Sequence, residues 1–326
     1  MIICKTPLRV SFFGGGTDFP EYFERYGGAV LGSAIDKFIY HSVTRFPSEL
    51  FDYSIRLAYS KVECVRCVSE IEHSPFREIL KFANILKDIE IGLTADLPAF
   101  SGLGSSSSFT VGLLNALHAH KGQFVPRREL AQMAIHIERE HLAEAVGCQD
   151  QVFAAFGGFN LIEFVSRDNI TVTRVVMPPH RLKELNDNLL MFFTGITRQA
   201  CNIERRKIDN IEQIRSNLQT IHRLVEKAHN LLTGNASLSN FGELLDETWH
   251  QKRLLDQAVS HPQVERMYEI AKSAGALGGK LLGAGGGGFM LFYVPMENQA
   301  SVRKALANYY EVLFRLNAPG CSIIHS

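Results

Sequence analysis

The residues best suited to chemistry fall in a few short segments. Leu97-Pro-Ala-Phe-Ser-Gly-Leu-Gly-Ser-Ser-Ser-Ser108 places two glycines and five serines directly before an amphipathic helical pattern. Free N–H groups at a helix start, together with the helix dipole, form an anion site. Glycine lets the backbone approach a phosphate closely, and small hydroxyls add donors, one of which can ligate Mg2+. A single serine would cap the helix; five exceed that need, so this segment reads as a phosphate-binding loop. Two other glycine clusters accompany it, Gly14-Gly15-Gly16 and Gly283-Ala-Gly-Gly-Gly-Gly288. Ten of the 26 glycines lie in these three segments, each directly after a strand-like run, which simple turns do not require. An acidic set, Glu138, Glu140, Glu144 and Asp150, completes the inventory. Glu140 and Glu144 suit a solvated helix face. Asp150 follows a helix-ending Gly147 and precedes the apolar run Val152–Phe156, and a carboxylate entering an apolar setting invites a functional explanation.

Two familiar phosphate motifs fail when tested against these segments. Gly283-Ala-Gly285-Gly-Gly-Gly288 matches G-x-G-x-x-G, but the following Phe289–Val294 reads as a strand where a dinucleotide fold needs a helix. Gly279-Lys280 resembles the end of a P-loop, yet Ala274 stands where its first glycine belongs and Leu281 where a Ser or Thr is required.

The composition sets the bounds. The chain has 326 residues, with 34 basic and 34 acidic side chains. Zero net charge argues against bulk nucleic-acid binding, while leaving room for a local anion site. Hydrophobic residues at 46% and charged residues at 21% are ordinary for a globular protein, and the length favours two domains. No apolar run approaches the roughly 20 residues that span a bilayer, and the N-terminal stretch is interrupted by Lys5 and Arg9, unlike a signal peptide. Six scattered cysteines suit a reducing cytoplasm, and the lone Cys64-x-x-Cys67 reads as reduced thiols rather than half of a zinc site.

These residues need elements to position them. Strand patterns cover Ile2–Phe13, Phe38–Arg45, Ser54–Val68, Ile89–Ala95 and Phe159–Phe164. Helical periods cover Phe76–Asp88, a stretch from Ser105 to near Gly122, and one from Pro126 to Gly147. Beyond residue 185 the texture becomes more helical. Ile211, Ile214, Leu218, Ile221, Val225, Ala228 and Leu232 trace a long helix, followed by helices near Phe241–Leu255, Val264–Ala274 and Glu297–Tyr309. Strands are predicted at Leu189–Thr194, on both sides of the third glycine cluster, and at Val312–Leu316. The expected division is 1–185 and 186–326.

In combination, the motifs resemble those of the GHMP kinases. Thr6-Pro-Leu-Arg-Val-Ser-Phe-Phe-Gly-Gly-Gly-Thr-Asp18 looks like the first family motif, Ser101-Gly-Leu-Gly-Ser-Ser-Ser107 like the second, and Lys280-Leu-Leu-Gly-Ala-Gly-Gly-Gly-Gly-Phe289 like the third. The resemblance covers nearly the whole chain in family order. It implies a two-domain α/β (α+β) fold, with an N-terminal domain like ribosomal protein S5 domain 2, a ferredoxin-like C-terminal domain, and ATP at their junction. Within the family the chain is most similar to bacterial heptose 7-phosphate kinases, through Arg9–Asp18, Gly27–Val30, Ile35-Asp-Lys37, Gln149-Asp-Gln151, Phe156–Asn160 and Phe193-Thr-Gly-Ile-Thr-Arg198. That similarity implies phosphorylation of the anomeric oxygen of D-glycero-D-manno-heptose 7-phosphate, on the route to nucleotide-activated heptose for surface polysaccharide. Fucose, galactose or N-acetylhexosamine 1-kinases are the alternative.

The resemblance also implies site roles. Asp150 stands at the catalytic aspartate and Arg9 at the catalytic cation. Ser101, Gly102, Leu103, Gly104, Ser105, Ser106 and Ser107 stand at the ATP-phosphate loop. Ser106 and Glu138 stand at the Mg2+ ligands, with Glu140 as the alternative acid. Asp18 stands at the residue that holds sugar hydroxyls, beside Gly15, Gly16 and Thr17, and Gly285 and Gly286 belong to the third motif. Where galactokinases carry Gly-Glu-His-Thr-Asp this chain has Gly14-Gly15-Gly16-Thr17-Asp18, which opens space for a longer or phosphorylated sugar. A sugar phosphate needs a cation; Arg198 is the first expectation and Lys37 the second. Neither nucleic acid nor membrane is expected as a partner, and a homodimer is left open.

Overall fold

The computed structural model describes residues 1–99, 101–196 and 201–326. The chain forms β1 (Ile2–Phe13), α1 (Pro20–Tyr26), β2 (Gly28–Arg45), β3 (Ile55–Ala58), β4 (Val62–Val65), α2 (Ser74–Phe82), β5 (Ile89–Ala95), α3 (Ser105–His120), α4 (Arg127–His136), α5 (Gln149–Phe156), β6 (Phe159–Ser166), β7 (Asn169–Arg174) and α6 (Pro179–Asp187). It continues through β8 (Leu189–Phe193), α7 (Cys201–Asp209), α8 (Ile211–Thr233), α9 (Ser239–Arg253), α10 (Pro262–Ser273), β9 (Gly278–Leu281), β10 (Phe289–Tyr293), α11 (Gln299–Ala305), β11 (Tyr310–Glu311) and β12 (Ser322–His325).

Two sheets organise these elements. The first has eight strands in the order β12-β1-β2-β5-β3-β4, with β6 on β2 and β7 on β6. The long β2 serves two partners on one edge: Gly28–Ser33 pairs with β6 and Ile39–Arg45 with β5. β1 is buried over nearly its whole length because it packs against α3 and α5 as well as α8 and α9, and a strand covered on both faces needs no polar alternation. The second sheet is antiparallel, in the order β11-β8-β10-β9. Helices fill the β8–β9 and β10–β11 connections, which is the ferredoxin-like arrangement. The stripe of α8 is buried at all seven predicted apolar positions, and part of it packs on Phe19 and Tyr22 from the N-terminal half. α8 therefore ties the two halves together next to the first glycine cluster.

The structure departs from the sequence reading in several places, including the expected strand over Ser54–Val68, which is two paired strands, β3 and β4. The helix expected over Phe76–Asp88 stops at Phe82, and Asn84 and Asp88 turn to positive φ. The helix expected to reach Gly147 ends earlier, in one π-helical turn at Ile137–His141, and a new helix, α5, begins at Gln149. The run Val312–Leu316 is extended but forms no strand: Val312 N–H bonds Met191 O in one sheet, and Leu316 bridges Ile35 in the other. Its alternation reflects a crossing between sheets. The chain end then pairs with β1, so β12 belongs to the first sheet. We propose a cut between the two halves near 185–186, with this C-terminal return crossing back over it.

Candidate active site

Arg9 lies in β1 and is 5% exposed. Its Nε and Nη2 each donate to Asp150, at 2.7 Å, and its Nη1 donates to Gly102 O at 2.6 Å. The two-pronged, charge-assisted contact fixes the carboxylate in direction as well as distance. Asp150 is in the first turn of α5 and keeps a quarter of its side-chain surface open to the adjoining cavity. The Arg9 N–H also bonds Leu103 O, so the serine loop lies along β1. Gly104 caps α3 in the left-handed region, at φ +74°, and a Cβ there would lie 3.2 Å from Arg9 Cγ and 3.3 Å from an Asp150 oxygen. Ser105, Ser106 and Ser107 then present the first turn of α3 to the cavity. Free N–H groups at such a helix start suit an anion. Ser101 and Leu103 are fully buried and only frame the loop.

The second and third glycine clusters meet. A Cβ on Gly102 would lie 2.5 Å from Leu282 O, one on Gly283 the same distance from Gly102 Cα, and one on Gly288 only 2.4 Å from Ser101 O. Gly283, Gly285 and Gly287 line the cavity. Gly286 does not: its N–H is committed to Val259 O at 2.9 Å.

The first cluster brings Asp18 to the same cavity. Asp18 is 2% exposed and accepts hydrogen bonds from Gly16 N (2.9 Å) and Gln149 N (3.3 Å). Burial pushes its pKa up to about 6, against the Gly16 N–H, with Asp150 and Glu204 adding to the rise. A Cβ on Gly147 would sit 1.9 Å from Asp18 Oδ2, so this glycine makes room for the carboxylate rather than ending a helix. Gly15 and Gly16 line the cavity, whereas Thr17 turns inward. Its hydroxyl bonds Gly14 O and Ala29 O and accepts from Ala29 N, so it pins the loop and has no donor left for a ligand.

Glu138 falls in the π-helical turn, a local widening that recurs at functional sites. It is fully buried, and burial pushes its pKa up to about 8. Oε2 accepts from Ser107 (2.9 Å) and Gln151 (2.5 Å), while Oε1 has no partner among the described residues. An unpartnered buried carboxylate oxygen beside a phosphate loop fits Mg2+, which takes one or two carboxylates and completes its shell with phosphates and water. Ser106, the serine expected beside it, is exposed to the cavity instead, and Ser107 makes the contact. Glu140 is 54% exposed in its side chain and pairs with Arg167, as a surface residue should.

Four charged cavity-lining residues have no site role in the sequence reading: Glu204, Lys207, Lys252 and Lys280, the last named there only as the start of the third motif. The three lysines are 3–7% exposed. Lys207 donates to Ala284 O at 2.7 Å, Lys252 to Leu281 O and Gly283 O, and Lys280 to Ser11 O and Phe12 O. A usable signal existed: Phe241, Leu245, Thr248 and Lys252 share one helical stripe, as do Ile203, Lys207 and Ile211. Lys37 lies on β2 and is not among the residues that line this cavity. Arg198 lies outside the described residues. Cys64 and Cys67 are exposed free thiols.

Comparisons with known proteins decide the family. Residues 56–158 match the model of the GHMP kinase N-terminal domain, and residues 211–312 that of the GHMP kinase C-terminal domain. A D-glycero-alpha-D-manno-heptose 7-phosphate kinase of Campylobacter jejuni is 32% identical over 317 residues, covering 93% of this chain and 92% of its own. This chain belongs to the GHMP kinase family. The fold agrees: the crystal structure of a D-glycero-D-manno-heptose 1-phosphate kinase from Bacteroides thetaiotaomicron matches the whole of both chains, with a TM-score of 0.80 at 26% identity. An L-fucokinase/L-fucose-1-P guanylyltransferase of Bacteroides fragilis is 29% identical over 92% of this chain, which spans 35% of that longer protein. GHMP kinases use ATP, and the serine loop lines the cavity. Among the described residues, no helix is long and apolar enough to cross a membrane.

Proposed function

We propose that this GHMP kinase transfers the γ-phosphoryl group of ATP to the anomeric hydroxyl of D-glycero-D-manno-heptose 7-phosphate, giving the 1,7-bisphosphate in the cytoplasm. The observation that carries the reading is the Arg9–Asp150 pair, set between the serine loop on one side and Asp18 on the other. Phosphoryl transfer needs little covalent help, so positioning and charge do most of the catalysis. Asp150 takes the proton of the attacking hydroxyl. Arg9 holds that carboxylate and offsets charge on the phosphoryl group as it moves. The N–H groups and hydroxyls of Gly102–Ser107 bind the ATP phosphates, and Asp18 accepts sugar hydroxyls. Glu138, through Oε1, would hold Mg2+, which when bound neutralises phosphate charge. The similarity to the Campylobacter jejuni enzyme supports the choice of heptose, as do the two small glycines beside Asp18. ATP turnover across heptose 7-phosphate, free heptose, fucose, galactose and mevalonate tests the reading. The highest kcat/KM should fall on heptose 7-phosphate; a higher value on fucose or galactose would reassign the sugar.

A further inference from the structure

Four buried cations, Arg9, Lys207, Lys252 and Lys280, line one cavity. Among the described residues, their carboxylate partners within ion-pair distance are Asp150 on Arg9 and Glu204 on Lys207, the latter a loose contact of 3.5 Å. Lys252 and Lys280 have backbone carbonyls only. Burial, with repulsion from neighbouring cations, pulls Lys252 well below its ordinary range and Lys280 down to about 7. Burying ammonium groups without a counter-charge is costly, so an anionic ligand entering the cavity would stabilise their charged forms.

The cations divide by place. Arg9 is committed to Asp150 and Gly102 O at the serine loop. Lys280 uses two of its three donors on Ser11 O and Phe12 O, tying β9 to β1. Lys207 has one close acceptor, Ala284 O, and adjoins Glu204; the next residue, Ile208, packs in one cluster with Phe19, the chain neighbour of Asp18. It therefore faces the end of the cavity assigned to the sugar. Lys252 holds Leu281 O and Gly283 O, the latter one residue from the Ala284 O that Lys207 holds.

We propose that Lys207, backed by Lys252, binds the phosphate group carried by the sugar substrate, and so sets the preference for a phosphorylated sugar. The inference rests on the sugar-kinase reading above and adds a contact for the phosphate of the sugar. An ammonium offers three donors, and a charge-assisted bond to phosphate is among the stronger ones available to a side chain.

The test is steady-state kinetics at saturating Mg2+ and ATP, comparing heptose 7-phosphate with free heptose in the wild type, Lys207→Met, Lys207→Arg and Lys252→Met. In Lys207→Met the ratio of the two kcat/KM values should fall roughly 30- to 100-fold, mainly through KM for the phosphorylated sugar. Lys207→Arg should recover most of that ratio, and Lys252→Met should lower it as well. Equal loss on both sugars, or loss confined to the KM for ATP, overturns the inference and leaves the reaction assignment intact. A wild type that phosphorylates free heptose as well as its 7-phosphate overturns the inference together with the choice of substrate. Absence of turnover on any sugar overturns the proposed function itself.

Discussion

The contact between the serine loop and the third glycine cluster gives a prediction whose size follows from the coordinates. Gly283 has φ +72°, and an added Cβ would lie 2.5 Å from Gly102 Cα and 3.0 Å from Gly102 O. Gly122 has nearly the same φ, +73°, with nothing within 4 Å of its Cβ position. Alanine at either site pays about 1–2 kcal/mol for the left-handed backbone. Either substitution regains about 0.4–1 kcal/mol from a stiffer unfolded chain. Only Gly283→Ala adds overpacking, about 1–3 kcal/mol. The net expectation is about 1 kcal/mol lost for Gly122→Ala and about 2–4 kcal/mol for Gly283→Ala, measured by urea unfolding. Gly283→Ala should also raise the KM for ATP, because Gly102 moves and its carbonyl holds Arg9 Nη1 at 2.6 Å. Equal destabilisation by the two alanines, with the KM for ATP unchanged in both, would refute the loop-to-loop contact.

Arg9→Met removes both 2.7 Å bonds to Asp150 and leaves a carboxylate only 24% exposed without its partner. Charge-assisted bonds contribute about 1.5–3 kcal/mol each, so kcat should fall about 10²- to 10⁴-fold, and Arg9→Lys should recover part of it without the forked geometry. A kcat within threefold of wild type would show that the pair is not catalytic. For Asp18, the raised pKa of about 6 means that the ionised form predominates above pH 6 and is lost as pH falls through it. Catalytic efficiency for the sugar should therefore drop about tenfold per pH unit below 6, and Asp18→Asn should give a lower but flat profile. The same raised pKa means that this group's contribution to folding stability is full below pH 3.8 and is lost as pH rises through 6.

Much of the site is legible in the sequence because its determinants are local. The serine loop and α3 follow from one continuous segment, and Gly104 and Ser105–Ser107 lie where helix-start chemistry puts them. The long α8 is fixed by its own period. What escaped depends on contacts between distant segments. Gly147 reads as a helix stop, yet its lack of a side chain serves Asp18, 129 positions earlier. Thr17 reads as a ligand neighbour, but Ala29 claims its hydroxyl from the next strand. Ser106 and Ser107 are adjacent and chemically identical, and only the helix phase decides which of them meets Glu138. Lys207 and Lys252 look like surface charges until the third glycine cluster folds its carbonyls onto them. The strand pattern at Val312–Leu316 is genuine alternation, but two different sheets supply its partners.

The most direct test of the account is the product formed from ATP and heptose 7-phosphate by the wild type and by Asp150→Asn, followed by phosphorus NMR. The wild type should form one new phosphate on the anomeric oxygen. Asp150→Asn should form it about 10²- to 10⁴-fold more slowly while still binding ATP. Wild-type turnover by Asp150→Asn, or a new phosphate on any other oxygen of the sugar, would contradict the account.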